Sequence, residues 1–306
     1  MPGPDTHHHA AHDHAAHDHA RPRPPAMPRE IRPGVFWLGD CLEQRAKGKI
    51  YHTYNAAFLV CGTEASVLIE TGHPKDFPLI DRQMQQILKD RAPLKYLFVT
   101  HQETPHSGGL GRVLHRYPDA VLCGDVNDYH LAFPQYAHRL MPMREGDSID
   151  LGGRHFVAVE PVIRDLRTTY WGFDTGQRVL FPGDGFAYSH YHEDGHCGLC
   201  AEEAVSLDLP DVSAVFADRA LFWTKFVDMN LYVDRLHHLL DRLEVKAIAP
   251  SHGLPVLDPA ATVPKIVEGL LYGGSVPESG TETGLAPPPD LAAPGAAPKK
   301  ELAGSP

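Results

Sequence analysis

Ten consecutive residues, Thr100-His101-Gln102-Glu103-Thr104-Pro105-His106-Ser107-Gly108-Gly109, constrain this chain more than any other stretch. The apolar run before them, Tyr96-Leu97-Phe98-Val99, has the length and composition of a short buried strand. The glycine pair and residues 110–117 read as a turn into a helix. Two imidazoles and a carboxylate are thereby set in a loop at the C-terminal end of a strand, where open α/β architectures bind ligands. Neutral His and ionised Glu are common ligands of zinc, iron and manganese. The plain alternative is a polar loop with exposed histidines, and it is weakened only by partners elsewhere in the chain.

Around this stretch the pattern alternates. Strands are expected at 34–39, 54–60 and 66–70, with a hairpin turn at Gly62-Thr63-Glu64-Ala65. A helix follows over 77–90, then the strand before the ten residues, another strand at 120–123 and a helix at 125–133. Residues 147–181 change to several strands with turns, and 219–243 carries the apolar spacing of one long amphipathic helix. A last strand at 247–250 and a helix at 263–271 close the core. A βαβ-like half, a strand-rich segment and a helical end make an α/β (α+β) chain, an order that two mixed sheets covered by helices would satisfy.

Both ends read differently. Residues 1–27 are a His-rich tail in which Ala10-Ala11-His12-Asp13-His14 recurs as Ala15-Ala16-His17-Asp18-His19, followed by a Pro-rich linker. The tail is either a metal-gathering segment or a solvated terminus of no consequence. Residues 273–306 are rich in Pro, Ala and Gly without periodicity and read as a second disordered tail. That leaves 28–272 as one metal-binding domain. A net charge of −11 without a Lys/Arg cluster argues against a nucleic-acid surface. No apolar run reaches membrane-spanning length and the N-terminus lacks an apolar signal segment, so a cytoplasmic protein without membrane contacts is expected. Five cysteines in a chain of this size do not suggest a disulfide framework.

Three more residues join the ten at expected strand boundaries. Asp184 lies in the turn Pro182-Gly183-Asp184-Gly185, His252 in Ser251-His252-Gly253, and Asp165 precedes a strand; Glu70 also ends one. With His101-Gln102-Glu103-Thr104-Pro105-His106, these residues resemble the metallo-β-lactamase superfamily, and within it the diiron domain of flavodiiron proteins and their stand-alone oxygen-binding relatives. That branch carries His-x-Glu-x-Asp-His where hydrolases of the fold carry His-x-His-x-Asp-His. The resemblance covers roughly 31–272 and implies an αββα sandwich of two mixed sheets flanked by helices. It implies a first metal held by His101, Glu103, Asp165 and bridging Asp184, and a second held by His106, Asp184 and His252.

Two positions depart from the family pattern. Pro105 stands where the family has an Asp ligand of the second metal, and Asp165, 19 residues before Asp184, where it has a His. Two sites of unequal affinity, one of which could be empty, are therefore expected, with an oxygen-rich first site suited to iron or manganese over zinc. The resemblance implies iron, as one or two ions, with manganese or zinc as alternatives. It further implies a mono- or dinuclear non-haem protein that binds or reduces a small diatomic such as O2 or NO. No Gly-rich phosphate loop is present in the sequence, so no internal FMN module and an external redox partner are expected. The alternatives are a metal-dependent hydrolase of an ester, thioester or phosphodiester, and a non-catalytic metal-binding or sensor protein. His190 or His192 could support the metal ligands from behind. Cys197-Gly198-Leu199-Cys200 reads as a redox pair, as half of a mixed His/Cys zinc site, or as a polar loop with two free thiols.

Overall fold

The computed structural model describes residues 25–46 and 48–272. The His-rich repeat and the C-terminal Pro/Ala/Gly tail lie outside the described residues, although Met27, assigned to the first tail, packs against the core.

In chain order the strands of the first half are β1 (Arg29–Arg32), β2 (Val35–Leu38), β3 (Cys41–Ala46), β4 (Lys49–Tyr54), β5 (Ala57–Cys61) and β6 (Ser66–Ile69). Helix α1 (Phe77–Leu88), β7 (Leu94–Phe98), α2 (Thr104–Ser107), α3 (Leu110–Arg116), β8 (Val121–Gly124), α4 (Tyr129–Ala132) and β9 (Leu140–Pro142) follow. The second half comprises β10 (Ser148–Asp150), β11 (His155–Val159), β12 (Trp171–Asp174), β13 (Val179–Phe181), α5 (Leu209–Ala220), α6 (Asn230–Arg242), β14 (Ala247–Ile248) and α7 (Pro259–Tyr272).

Seven strands form one mixed sheet in the order β1-β2-β5-β6-β7-β8-β9, and five form another in the order β10-β11-β12-β13-β14. The apolar sequence pattern explains why these sheets stack. Side chains alternate faces along a strand, and in β5 Phe58 and Val60 enter the core shared with the second sheet while Ala57, Leu59 and Cys61 face a second core. Likewise Val67 and Ile69 turn one way and Leu68 the other. Ile80, Met84 and Ile87 of α1 and Leu110, Val113 and Leu114 of α3 close that second core. On the far side Val212, Val215, Leu236, Ile266 and Leu270 of α5, α6 and α7 pack against the second sheet. The result is the four-layer αββα arrangement. Strands buried on both faces read as near-continuous apolar runs, which is how β5 and β6 were visible in the sequence.

Three local expectations are corrected. The helix expected over 219–243 is broken: α5 ends at Ala220, a 3-10 turn spans Phe222–Phe226, and α6 starts at Asn230. Thr224 Oγ1 donates to the Leu221 carbonyl (2.8 Å) and Asp228 Oδ1 accepts from the Asn230 amide (3.0 Å), so side chains take over backbone groups at the break. Phe222 and Phe226 point outward. The helix expected at 125–133 shrinks to α4. The strand expected over 54–60 is interrupted at Asn55-Ala56, and Tyr54 instead ends a separate hairpin, β3–β4.

Candidate metal centre

β6 and β7 are parallel neighbours in one sheet, and β13 and β14 are parallel neighbours in the other. Their C-terminal ends therefore share an edge, and every residue singled out at a strand end gathers there. Glu70 follows β6, His101 follows β7, Asp184 follows β13 and His252 follows β14. The Ser251 amide donates to the Gly183 carbonyl (3.0 Å), and the Ala56 amide donates to the Ser251 carbonyl (2.9 Å), tying the two sheets' ends together. The Tyr170 amide donates to the Thr100 carbonyl (2.8 Å), which brings the loop carrying Asp165 to the same edge. Gly183 is required here. Its φ is +56°, and a Cβ would lie 2.6 Å from Thr100 Oγ1.

All six residues proposed from the sequence meet. Donor atoms lie within 4.8 Å of one another in three overlapping trios: His101, Glu103 and His106; His101, Asp165 and Asp184; and His106, Asp184 and His252. His101 Nε2 is 3.1 Å from Asp165 Oδ2, His106 Nε2 is 3.4 Å from Asp184 Oδ1, and His252 Nε2 is 3.5 Å from the same Oδ1. Asp184 thus faces both groups of imidazoles. His101 is 1% exposed, His106 0%, Asp184 3% and His252 7%, whereas Glu103 is exposed. Pro105 sits in the first turn of α2 and adds no donor.

The imidazoles are oriented from behind. His252 Nδ1 donates to the Tyr54 carbonyl (2.6 Å), which leaves the Nε2 lone pair facing Asp184. Phe216 packs beside the His252 ring at 5.0 Å. His101 Nδ1 lies 3.1 Å from Thr100 Oγ1, and that hydroxyl donates to Glu70. The buried Glu70 also accepts from the Ser251 hydroxyl (3.1 Å) and the Thr100 amide (3.3 Å), and its Oε1 is 3.3 Å from His106 Nδ1. Its backbone is in the left-handed region, φ +61°, which for a residue other than Gly marks a position held by its surroundings. The sequence flagged Glu70 only as a strand end. The fold makes it the carboxylate that links Thr100, Ser251 and His106.

The charges are strongly coupled. Burial works against protonation of His106, but Asp184 and Glu70 outweigh it and raise the group to about 9. Burial opposes ionisation of Asp165, yet His101 and the Thr169 hydroxyl bring it down to about 2. His252 is lowered, chiefly by burial, against the pull of Asp184. His101 Nε2, His106 Nε2 and Asp184 Oδ1 are buried without a hydrogen-bond partner. Buried polar atoms are ordinarily paired. Unpaired imidazole nitrogens converging with carboxylate oxygens have the donor chemistry of a cation site, so these residues fit a metal.

The two residues expected to support the centre from behind face elsewhere. His190 Nε2 and His192 Nδ1 lie 3.4 and 3.1 Å from Cys197 Sγ, not beside the carboxylates. A β-bridge between His52 and His190 turns this loop toward the β3–β4 hairpin. Tyr54, whose carbonyl holds His252, entered the sequence reading only as the first residue of an expected strand, since an orienting backbone carbonyl carries no side-chain signature.

Residues 51–216 match the metallo-β-lactamase superfamily. The chain belongs to that superfamily. Among curated relatives, the coenzyme F420-H2 oxidase of Methanothermobacter marburgensis is 27% identical over 264 residues, covering 79% of this chain and 60% of that protein. The nitric oxide reductase of Moorella thermoacetica is 24% identical over 246 residues, covering 75% of this chain and 57% of its own length. This superfamily member thus spans 60% and 57% of the lengths of these two relatives. Solved structures with the same fold include rubredoxin oxygen:oxidoreductase from Desulfovibrio gigas (TM-score 0.61, 14% identity, 80% of this chain and 61% of that one). The flavodiiron protein of Giardia intestinalis is another (TM-score 0.60, 17% identity, 81% and 60%). Among the described residues no helix is long and apolar enough to cross a membrane.

Proposed function

We propose that the chain is a non-haem iron protein of the diiron type that binds or reduces a small diatomic such as O2 or NO, using electrons from an external donor. The observation that carries this reading is the convergence of His101, Glu103, Asp165, Asp184, His106 and His252 around unpaired buried donor atoms. Relatives named as an oxidase and as a nitric oxide reductase support the same class. In this proposal His101, Glu103, Asp165 and Asp184 hold the first ion, and His106, Asp184 and His252 the second. When bound, iron would supply the redox chemistry and the affinity for the diatomic.

The residues do the rest. Three carboxylates and three imidazoles shared between two ions favour iron or manganese over softer ions. Glu70 and the Tyr54 carbonyl fix which ring nitrogens face inward. Glu103 is the exposed member of a set whose other five donors are largely covered, so approach past Glu103 suits a small molecule better than a bulky ester. Pro105 leaves the second group one carboxylate short, and we assign it the weaker affinity.

Iron content, measured on full chain purified anaerobically, tests the reading against His252→Ala and His101→Ala, because any iron on the His-rich tail is common to all three. We expect one to two equivalents above the variants and a spectrum that changes with O2 or NO. Iron that is equal in all three proteins, or ester hydrolysis that is lost in the variants without any response to O2 or NO, would overturn it.

A further inference from the structure

A second donor cluster lies away from the carboxylates. Cys41 opens β3 and His52 lies in β4. Cys41 pairs with Tyr54 across this antiparallel hairpin, so His52, two residues before Tyr54, is its diagonal neighbour on the same face. The loop after Asp184 supplies the other half. The His52 amide donates to the His190 carbonyl (2.8 Å) and the His190 amide returns a bond to the His52 carbonyl (2.7 Å), which docks that loop on the hairpin.

Four potential ligands then meet. Cys41 Sγ is 2.8 Å from His52 Nδ1 and 3.2 Å from Cys197 Sγ, and Cys197 Sγ is 3.1 Å from His192 Nδ1. Their donor atoms all lie within 4.8 Å of one another. The fully buried His190 stands behind them, its Nε2 3.4 Å from Cys197 Sγ and 3.6 Å from Cys41 Sγ. Cys200 takes no part. It caps the turn Ala201–Glu203 instead, so the pair that bears the chemistry is not Cys-x-x-Cys but two cysteines 156 residues apart.

We propose that Cys41, His52, His192 and Cys197 form a tetrahedral site for one thiophilic divalent cation, zinc by donor type. Two thiolates and two imidazoles are a complete structural zinc set. Two thiolates also cancel the charge of a divalent ion. Zinc–sulfur and zinc–nitrogen bonds of roughly 2.3 and 2.0 Å require donor separations of about 3.3–3.8 Å, so the ligands part by about half an ångström on binding. The ion would fasten the hairpin to the loop. The same hairpin ends in Tyr54, whose hydroxyl accepts from the Gly198 amide (2.8 Å) and whose carbonyl holds His252. The clamp thus bears on the residue that orients one ligand of the carboxylate-rich centre.

Cobalt(II) added to chelator-treated, reduced full chain tests this, because only thiolate ligation gives intense sulfur-to-cobalt charge transfer. The carboxylate-rich centre contains no sulfur, so its failure or success is read separately. We expect one thiolate-bound cobalt per chain. The signal should vanish in Cys41→Ser and Cys197→Ser, survive in Cys200→Ser and His252→Ala, and require roughly 10–100-fold more cobalt in His192→Ala. His192 is exposed, so that variant tests the site without disturbing the core. Absence of sulfur-to-cobalt charge transfer in the reduced wild-type chain, its persistence in Cys41→Ser, or a Cys41–Cys197 disulfide that re-forms in preference to cobalt binding would overturn the proposal.

Discussion

Replacing Glu70 by Gln removes a single buried charge and leaves the shape unchanged. Glu70 Oε1 serves the hydroxyls of Thr100 and Ser251 and faces His106 Nδ1, while Oε2 accepts from the Thr100 amide. The Gln oxygen can replace Oε1, but its NH2 then meets the Thr100 amide donor to donor. A lost hydrogen bond to a charged group costs about 1.5–3 kcal/mol. The ion pair with His106 is lost as well. Burial opposes the His106 charge, Asp184 and then Glu70 support it, and the rise from 6.5 to about 9 corresponds to about 3 kcal/mol shared among the supporters. The sum falls in the range of about 3–5 kcal/mol for breaking a buried pair from one side.

The sign of the pH dependence follows from both partners. Burial raises Glu70, but His106, His101 and Thr100 outweigh it and hold it below its ordinary value of 4.5. Its contribution is therefore present above that value and lost in acid. His106 is raised, so its contribution is full below 6.5 and lost as the pH climbs through about 9. Urea unfolding of chelator-treated full chain should show Glu70→Gln less stable by about 3–5 kcal/mol at pH 6, with the gap narrowing above pH 9. A gap below about 1 kcal/mol at pH 6, or one that does not narrow, would refute the pairing.

Three further outcomes are expected. Pro105→Asp restores a carboxylate beside His106 and should tighten the weaker metal equivalent about tenfold in chelator competition; unchanged affinity would show that Pro105 does not limit that position. Gly183→Ala forces a Cβ to 2.6 Å from Thr100 Oγ1 at positive φ, and should lower metal-free stability by about 1–3 kcal/mol and reduce bound iron; a neutral substitution would mean the turn yields freely. Asp165, held down to about 2 by His101 and Thr169 against burial, contributes about 2 kcal/mol above pH 4 that fades as the pH falls through 2. Asp165→Asn should therefore be less stable than the parent at pH 6 and converge with it near pH 2, and parallel acid-unfolding curves would contradict that.

Much of this was legible because burial writes itself into sequence. β5 and β6 are covered on both faces and read as apolar runs, β7 ends in the buried Leu97-Phe98, and the loops that end β7, β13 and β14 carry the donors in motifs with nearby glycines. The β3–β4 hairpin was missed because β3 is mostly polar and half-exposed, and β4 buries Tyr51, Thr53 and Tyr54 while its one aliphatic residue, Ile50, is exposed, so neither strand shows an aliphatic alternation. Helix α5 was missed although Asp208 caps it and Pro210 lies in its first turn, a start signal that the next apolar segment overshadowed. Local side-chain bonds at Thr224 and Asp228, not periodicity, decided the break before α6. His190 and His192 lie only a few residues after Asp184, which in sequence suggested support for the centre. The β-bridge to His52 sends them to Cys41 and Cys197, a pairing that spans both halves of the chain and no local spacing reveals.

Metal identity and diatomic response, measured together, bear most directly on the central claim. Full chain purified anaerobically should hold iron that is lost in His101→Ala and in His252→Ala, and its visible spectrum should change on exposure to NO or O2. Zinc alone at the carboxylate-rich centre, displaced by the same two substitutions and with no spectral response to either gas, would contradict the account.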